Sequence, residues 1–346
     1  MKIEKIFAIL FLNEIIKRKN EKEIKKMTEK SIWLIQETTK EQLQTLKDLA
    51  PEYKLINGWE IDEKNVPLKS VEIIYGWTGQ RSEELLLDGK HNLKWVQGKA
   101  AGVDFLDLEK LKENKVLLTN GSGIHSISIA ESVFGMLLAY ARGIQKAVKD
   151  QQTKKWEQVD KLMELHGKTI MIVGTGKIGV EVGRLAKAFN MKTIGVNRSG
   201  REVAYMDLLI KQPRLIEQVK QADIVVNILP FTDQTHHFFN QEIFSQMKNG
   251  TLFINVGRGP TVKTDDLIEA LDGGKLAFAG LDVFETEPLS ETSALWTRAD
   301  VLITPHIAGI AEHFKKRLFA IFEENLKAYL DGETLPINLI DYDNQY

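Results

Sequence analysis

The sequence predicts an α/β protein whose main sheet is parallel. A short apolar segment, residues 168–173, runs directly into Gly174-x-Gly176-x-x-Gly179, which is the pattern of a strand, a tight glycine turn and a helix start. Further apolar segments alternate with helical stretches, and this alternation is typical of a doubly wound parallel sheet. The later strand candidates are residues 192–196, 222–229, 250–256, 280–284 and 301–304.

The glycine motif predicts a dinucleotide-binding site. Gly174 permits the turn, Gly176 leaves room for a pyrophosphate beside the backbone, and Gly179 lets the helix pack closely on its strand. An amphipathic helix follows, and the backbone N–H groups at its start would hold the phosphates. The candidate cofactor-binding residues of this motif are Gly174, Thr175, Gly176, Lys177, Ile178 and Gly179.

The end of the next strand bears on the choice of cofactor. An acidic residue there would hydrogen-bond the ribose 2′-hydroxyl of NAD, but this chain has Asn197-Arg198-Ser199. No carboxylate repels a 2′-phosphate at this position, and a guanidinium and a hydroxyl can bind one. We therefore expect NADP(H) to be favoured. In the alternative, Arg198 stacks on the adenine and NAD(H) is used as well.

Composition indicates two domains and excludes several kinds of partner. The 346 residues, 43% of them hydrophobic, exceed the usual size of a single core. A formal net charge of −2 provides no basic field for nucleic acid or for an anionic membrane surface. The absence of cysteine excludes disulfides, thiolate catalysis and cysteine-ligated zinc. We expect the adjacent His236 and His237 to point apart, and we predict no metal site.

The first part of the chain predicts a second, smaller α/β domain. Strand candidates lie at residues 31–35, 71–75 and 95–97, with a helix beginning near Lys40. A single long helix is expected over residues 126–148, where the chain would cross between the domains. Residues 1–27 are lysine-rich and are either an appended helix or an upstream extension of the reading frame.

A cytoplasmic location is expected from the start of the chain. The longest early apolar run, residues 6–12, is far shorter than the roughly 20 residues of a membrane helix. Asn13 and Glu14 follow that run, and no small-residue cleavage site of a signal peptide is present.

Six more motifs follow one another along residues 101–309. They are AGVD at 101–104, IAE at 129–131, LPFT at 229–232, NVGRG at 255–259, LDVFETEP at 281–288 and TPHIAG at 304–309. Together with the glycine motif they resemble the D-isomer-specific 2-hydroxyacid dehydrogenases over residues 30–335. This resemblance implies reversible, stereospecific hydride transfer between NAD(P)(H) and the C2 carbon of a small 2-keto or 2-hydroxy acid.

The resemblance also implies a domain arrangement. A doubly wound, parallel-sheet Rossmann domain, residues 126–308, would be inserted in a smaller flavodoxin-like α/β domain that binds substrate. The smaller domain would combine residues 28–125 with residues 309–346. Members of the family usually pair through the Rossmann domain and the crossover helix, so a homodimer is expected.

Three residues of these motifs suit the chemistry of ketone reduction. The resemblance assigns the proton donor to His306, and imidazole exchanges protons near neutral pH. It assigns Glu287 as the partner that fixes the imidazole tautomer and stabilises imidazolium, so that reduction is favoured when His306 is protonated. Arg258 follows an apolar strand, and its guanidinium can bridge the substrate carboxylate and carbonyl oxygen. The neighbouring Glu285 is expected to face solvent.

The remaining site residues are assigned by the resemblance, except Trp77 and Lys99, which are chosen for their positions after a strand end and before the anchoring loop. Backbone amides around Ala101 and Gly102 would anchor the substrate carboxylate. Trp77 and Lys99 would shape the substrate pocket, unless Trp77 is ordinary core packing and Lys99 a solvated surface residue. Asp282 would lie near the nicotinamide or simply cap a strand end, and Thr235 would line the dinucleotide cleft or begin a helix. The remaining cofactor-binding candidates are Leu229, Pro230, Val256, Gly257, His306 and Ala308.

The expected function is a reductase for small 2-keto acids, with glyoxylate or hydroxypyruvate among its substrates. One alternative is an enzyme like phosphoglycerate dehydrogenase, which is disfavoured because the sequence stops at Tyr346 without the regulatory domain that many of those enzymes carry. Another is a non-catalytic dinucleotide sensor, like the co-repressor relatives of the family. The joint presence of Arg258, Glu287 and His306 disfavours the sensor.

Overall fold

A computed structural model describes residues 30–342, except 78, 88–90, 104–105 and 160. The expected N-terminal extension, residues 1–27, lies outside the described residues, as does the last residue of the AGVD motif. The chain divides into two compact units. One comprises the chain up to Ile124 together with His313–Tyr346, and the other spans His125–Glu312.

The sheet of the first unit has five parallel strands in the order β2-β1-β3-β4-β5, which is the flavodoxin-like order. Its strands are β1 (Lys30–Leu34), β2 (Tyr53–Asn57), β3 (Val71–Tyr75), β4 (Trp95–Gln97) and β5 (Leu117–Thr119). Its helices up to this point in the chain are α1 (Lys40–Leu49), α2 (Gly79–Leu87) and α3 (Leu108–Glu113). Two strands, β2 and β5, escape prediction because neither is buried along its whole length.

The sheet of the second unit has seven parallel strands in the order β12-β11-β10-β9-β6-β7-β8. Its strands are β6 (Thr169–Val173), β7 (Lys192–Asn197), β8 (Leu208–Lys211), β9 (Ile224–Asn227), β10 (Thr251–Asn255), β11 (Leu276–Leu281) and β12 (Val301–Ile303). Its helices are α4 (Ser126–Ala141), α5 (Ile144–Gln152), α6 (Lys177–Ala188), α7 (Leu215–Gln218), α8 (Gln241–Gln246) and α9 (Thr264–Asp272). The first six strands follow the Rossmann order, with β12 added at one edge.

Both faces of this sheet are buried, as a doubly wound sheet requires. Successive residues of β6 enter different hydrophobic clusters: Met171 and Val173 belong to one, and Ile170 and Ile172 to the other. Alternate side chains of a strand point to opposite faces, so a strand covered on both sides is apolar throughout. The strand order reverses between β6 and β9, and the glycine motif follows β6 at this switch point.

Two predicted elements of the second unit are wrong in their extent. The single helix over residues 126–148 is instead α4 and α5, bent by 68°, because Gly143 between them has a positive φ of 67°. The strand expected at residues 280–284 is β11, which begins earlier, at Leu276. Its start escapes prediction because Ala277 and Ala279 are poor strand formers.

The chain returns to the first unit in α10 (Phe314–Leu330). Phe322 of this helix stacks on Tyr75 and on Trp95, with ring centroids 4.5 and 5.0 Å apart. The C-terminal helix is therefore part of the core of the first unit. Among the helices that the structure describes, none alone has the length and apolar composition of a membrane span, and α4 with α5 has them only as a bent pair.

Candidate active site

The glycine motif forms a cradle at the switch point of the seven-stranded sheet. Gly174 has φ of +102°, and a Cβ on it would lie 3.0 Å from the carbonyl oxygen of Ile228. A Cβ on Gly176 would meet nothing within 4 Å, so this side of the turn is open. Gly176 caps α6 without a side-chain hydrogen bond, which leaves N–H groups of the first helical turn to bind an anion. The residues present therefore fit a dinucleotide pyrophosphate.

Asn197 braces the loop that follows β7. Its amide nitrogen donates to Oγ1 of Thr175 at 3.0 Å, and its Oδ1 accepts from the N–H of Gly200 at 2.5 Å. With the Asn197 side chain turned inward in this way, Arg198 and Ser199 are exposed on the outside of the loop.

A buried amide network links the ends of β9 and β10. Asn227 and Asn255 are register partners in the sheet. The Asn227 amide donates to Oδ1 of Asn255 at 3.0 Å and to Oγ1 of Thr261 at 2.7 Å. The two amide oxygens accept from the backbone N–H groups of Leu229 and Gly257. This network fixes two ligand-side loops and was not predicted, although an asparagine ending two adjacent apolar strands is a visible signal.

Arg258 projects from a tightly held loop at the carboxyl end of β10. Its Nη1 donates to the carbonyl oxygen of Gly257 at 2.9 Å, and its own carbonyl oxygen accepts from Oγ1 of Thr261 at 2.6 Å. A Cβ on Gly259 would lie only 1.7 Å from the carbonyl oxygen of Phe284. The Arg258 loop therefore touches the backbone of the loop after β11, and its guanidinium is exposed.

His306 and Glu287 form a hydrogen-bonded pair. Nδ1 of His306 lies 2.7 Å from Oε2 of Glu287, and Oε1 of Glu287 accepts from the N–H of Phe284 at 2.9 Å. His306 has a positive φ of 53°, and 52% of its side chain is exposed. Within the described part of the chain, Nε2 of His306 has no hydrogen-bond partner, so this nitrogen can serve a substrate.

Asp282 holds the loop that carries His306. Its carboxylate is buried and accepts from Oγ1 of Thr304 at 2.6 Å and from the N–H groups of Ile307 and Ala308 at 2.9 and 3.1 Å. These contacts fit the structural alternative for Asp282, since the carboxylate is occupied within its own unit. A role beside the nicotinamide stays a prediction.

The segment predicted to line the dinucleotide cleft is a compact turn after β9. The Thr235 hydroxyl donates to the carbonyl oxygen of Pro230 at 2.7 Å and accepts from the N–H of Thr232 at 2.8 Å. The side chains of Leu229 and Val256 are buried. Thr235 thus shapes the turn, and cofactor contact by this segment stays a prediction.

Two expectations about neighbouring side chains are wrong. The rings of His236 and His237 do not point apart but stack, with centroids 3.9 Å apart, because His237 has a positive φ of 50°. Glu285 does not simply face solvent: it accepts from Nε2 of His237 and from the N–H of Thr264, each at 2.7 Å. In the described ranges, no group of three or more His, Asp or Glu side chains could hold a metal ion.

Apart from Arg258, the predicted substrate residues lie in the first unit. Trp77 is 7% exposed and belongs to a hydrophobic core cluster, which fits the alternative of core packing, and a role in the substrate pocket stays a prediction. Lys99 and Ala101 are exposed and Gly102 is half-buried. The amide of Asn120 donates to the carbonyl oxygen of Ala101 at 2.6 Å, which fixes this small-residue loop.

The fold and the side chains at the carboxyl ends of the strands define a class of enzyme. The second unit combines a Rossmann sheet and its glycine cradle with an exposed arginine and a histidine–glutamate pair. These features are typical of a nicotinamide-nucleotide dehydrogenase. The sequence profile of the D-isomer specific 2-hydroxyacid dehydrogenase NAD binding domain matches residues 134–308. The chain belongs to this family of NAD(P)-dependent oxidoreductases, as its motifs predict.

Named relatives agree with this assignment. A glyoxylate reductase of Pyrococcus furiosus is 31% identical over 81% of this chain and 88% of its own length. The structure of a D-isomer specific 2-hydroxyacid dehydrogenase family protein from Aeromonas salmonicida is 35% identical, with a TM-score of 0.75, over 91% of this chain and all of that one. An NADPH-dependent glyoxylate/hydroxypyruvate reductase from Sinorhizobium meliloti, solved with NADP and sulfate, is 25% identical with a TM-score of 0.73, over 92% of this chain and all of that one.

Proposed function

We propose that this dehydrogenase is an NADP(H)-preferring reductase of small 2-keto acids, with glyoxylate and hydroxypyruvate among its substrates. The observation that carries the proposal is the His306–Glu287 pair. Glu287 occupies Nδ1 of the imidazole at 2.7 Å and leaves Nε2 for a substrate oxygen. A carboxylate in this position fixes the tautomer and stabilises the charged ring.

Each catalytic side chain has a defined part in the reaction. A nicotinamide dinucleotide held at the glycine cradle of residues 174–179 would supply the hydride to C2 of the keto acid, or accept it from C2 of the hydroxy acid. His306 donates a proton from Nε2 to the carbonyl oxygen, and Glu287 stabilises the imidazolium before that transfer. The Arg258 fork binds the substrate carboxylate and polarises the carbonyl group. Backbone amides at Ala101 and Gly102 give the carboxylate a second anchor. In the oxidative direction His306 accepts the proton.

The loop after β7 supports a preference for NADP(H). Arg198 and Ser199 are exposed on its outer side, while Asn197 is occupied in bracing the loop. A guanidinium and a hydroxyl suit a 2′-phosphate, and the acidic group that would favour NAD is replaced by an amide. The NADP complex of the Sinorhizobium relative supports the same choice. Use of NAD(H) is the alternative.

Exposed apolar side chains near α5 support a homodimer. Ile144 and Val148 are about half exposed, and Trp156 is 93% exposed in the segment that follows the helix. Leu162 is also exposed. An apolar surface of this kind is typical of an interaction site, and we propose that a second copy of the chain covers it.

Turnover with a panel of 2-keto acids tests the proposal. The purified chain should oxidise NADPH with glyoxylate or hydroxypyruvate, and more efficiently than it oxidises NADH. Nucleotide binding without turnover on any 2-keto acid would instead identify a dinucleotide sensor. A preference for NADH of more than about tenfold, or 1.4 kcal/mol, would overturn the cofactor proposal alone.

A further inference from the structure

A second histidine–glutamate pair lies beside the proposed catalytic pair. Nε2 of His237 is 2.7 Å from Oε1 of Glu285, and Glu285 is only two residues before Glu287. About a third of each side chain of this second pair is exposed. The catalytic mechanism proposed above uses neither residue.

Glu285 connects the loop after β11 to the start of α9. Its Oε2 accepts from the N–H of Thr264 at 2.7 Å, and the first turn of a helix favours a negative charge. Burial opposes ionisation of Glu285, but the hydrogen bonds from Thr264 and His237 outweigh burial and lower its pKa. The carboxylate is therefore charged at neutral pH and has both oxygens bonded.

The backbone of His237 connects the same region to the Arg258 loop. Its N–H donates to the carbonyl oxygen of Pro260 at 2.9 Å, two residues after Arg258. The N–H of Phe239 donates to Thr261 and the carbonyl of Phe239 accepts from Lys263, at 2.9 and 3.0 Å. Residues 237–239 thus run beside residues 260–263 as a short parallel ladder.

Three loops at the carboxyl edge of the sheet meet through these contacts. They follow β9, β10 and β11, and they carry His237, Arg258 and the two glutamates. The backbones of the second and third loops are already in contact, since a Cβ on Gly259 would overlap the carbonyl of Phe284. The His237–Glu285 hydrogen bond joins the first loop to the third and so closes the set.

We propose that His237 and Glu285 are positioning residues, which hold Arg258 and Glu287 in the geometry needed for hydride transfer. This inference rests on the proposed reductase function. Small displacements matter here, because a misplacement of about 1 Å can lower a reaction rate about a hundredfold. The His237–Glu285 pair, which we call the clamp, acts through the two loops. Its loss should therefore slow the chemical step and leave nucleotide binding intact.

Single-turnover hydride transfer in variants of the full chain tests this role. His237→Ala should lower the rate about tenfold or more, raise the primary deuterium isotope effect on kcat/KM, and leave NADPH affinity within about twofold. His237→Gln, which restores a donor toward Glu285, should recover most of the rate. His236→Ala is the matched control and should behave as the wild type, because His236 shares the ring stack but makes no hydrogen bond to Glu285 within the described residues.

Clear outcomes separate this inference from the proposed function. An unchanged rate in His237→Ala, or a lower rate with an unchanged isotope effect and no rescue by glutamine, would overturn the positioning role. If His237→Ala does not fold, Glu285→Gln carries the same prediction, because it keeps an acceptor for the N–H of Thr264. Absence of turnover in the wild type would instead overturn the reductase proposal.

Discussion

The two histidine–glutamate pairs that depend on the loop after β11 have the same hydrogen-bond length. They differ in the exposure of the histidine and in the further contacts of both residues. His306 is half exposed, with Nε2 open, while Glu287 occupies the other ring nitrogen. His237 is stacked on His236, and its partner Glu285 accepts a second hydrogen bond from Thr264 in another chain segment, whereas Glu287 accepts its second hydrogen bond from Phe284 in its own loop. We propose that the more exposed pair serves proton transfer, and that the stacked pair, whose glutamate bridges two chain segments, positions the loops.

The largest expected effect distinguishes the His306–Glu287 pair from the His237–Glu285 clamp. His306→Asn removes the proton donor, so kcat for reduction should fall on the order of a thousandfold. NADPH affinity should be unchanged, because the glycine cradle is intact. Steady-state kinetics and nucleotide titration check this prediction. Activity within tenfold of the wild type would remove the distinction between the two histidines.

A charge-conserving change at Arg258 tests whether the substrate needs the guanidinium that the clamp holds in position. Arg258→Lys keeps the charge but loses the two-pronged guanidinium, so kcat/KM should fall about a hundredfold. The matched control is Arg184→Lys on α6, whose partner Glu181 lies one helical turn away. That variant should keep full activity, and equal losses in both variants would contradict the assignment of Arg258.

The partner of the catalytic imidazole should matter less than the imidazole itself. Glu287→Gln keeps an acceptor for Nδ1 of His306 but no longer stabilises its charged form. We expect kcat to fall about tenfold to a hundredfold. The measurement is kcat at saturating NADPH and keto acid for Glu287→Gln and Glu285→Gln side by side. If a loss of fold stability accounts for the whole decrease in the kcat of Glu287→Gln, the catalytic role of Glu287 is contradicted.

The smallest effect is on stability, and it concerns the clamped pair. The pKa of Glu285 is lowered in the folded state by Thr264 and His237, despite burial. The contribution of ionised Glu285 to the free energy of unfolding is therefore complete above the unfolded-state pKa of about 4.3. It is lost as the pH falls through the lower pKa of the folded state.

Denaturant unfolding of Glu285→Gln checks this effect. At neutral pH the variant should be less stable than the wild type by about 1–2 kcal/mol, and the difference should shrink at acid pH. Glu287→Gln is the control and should show a smaller loss at neutral pH. A stability difference for Glu285→Gln that does not depend on pH would contradict the charged clamp.

The fold was largely predictable because its signals are local in the sequence. The glycine motif and the apolar runs of β6, β9 and β10 identify a parallel sheet buried on both faces. The partly exposed strands β2 and β8 carry no such pattern. Gly143 lies within an otherwise helical periodicity, so the apolar pattern does not reveal that its positive φ separates α4 from α5.

The candidate site was predictable only in part. The resemblance to the dehydrogenase family points to Glu287 and His306, and the apolar strand before Arg258 predicts that its side chain lies at the carboxyl edge of the sheet. The clamp is different: His237 and Glu285 are 48 residues apart in the chain. The left-handed conformation of His237 that aligns its ring with His236 is set by tertiary contacts. Long-range pairing of this kind leaves no spacing pattern in the sequence.

The most direct test is the single-turnover rate of hydride transfer from bound NADPH to glyoxylate in the wild type, His306→Asn and His237→Ala. We predict fast hydride transfer in the wild type, an intermediate rate in His237→Ala and almost no transfer in His306→Asn. All three should bind NADPH equally well. Transfer in His306→Asn at the wild-type rate would contradict the assignment of His306 as the proton donor.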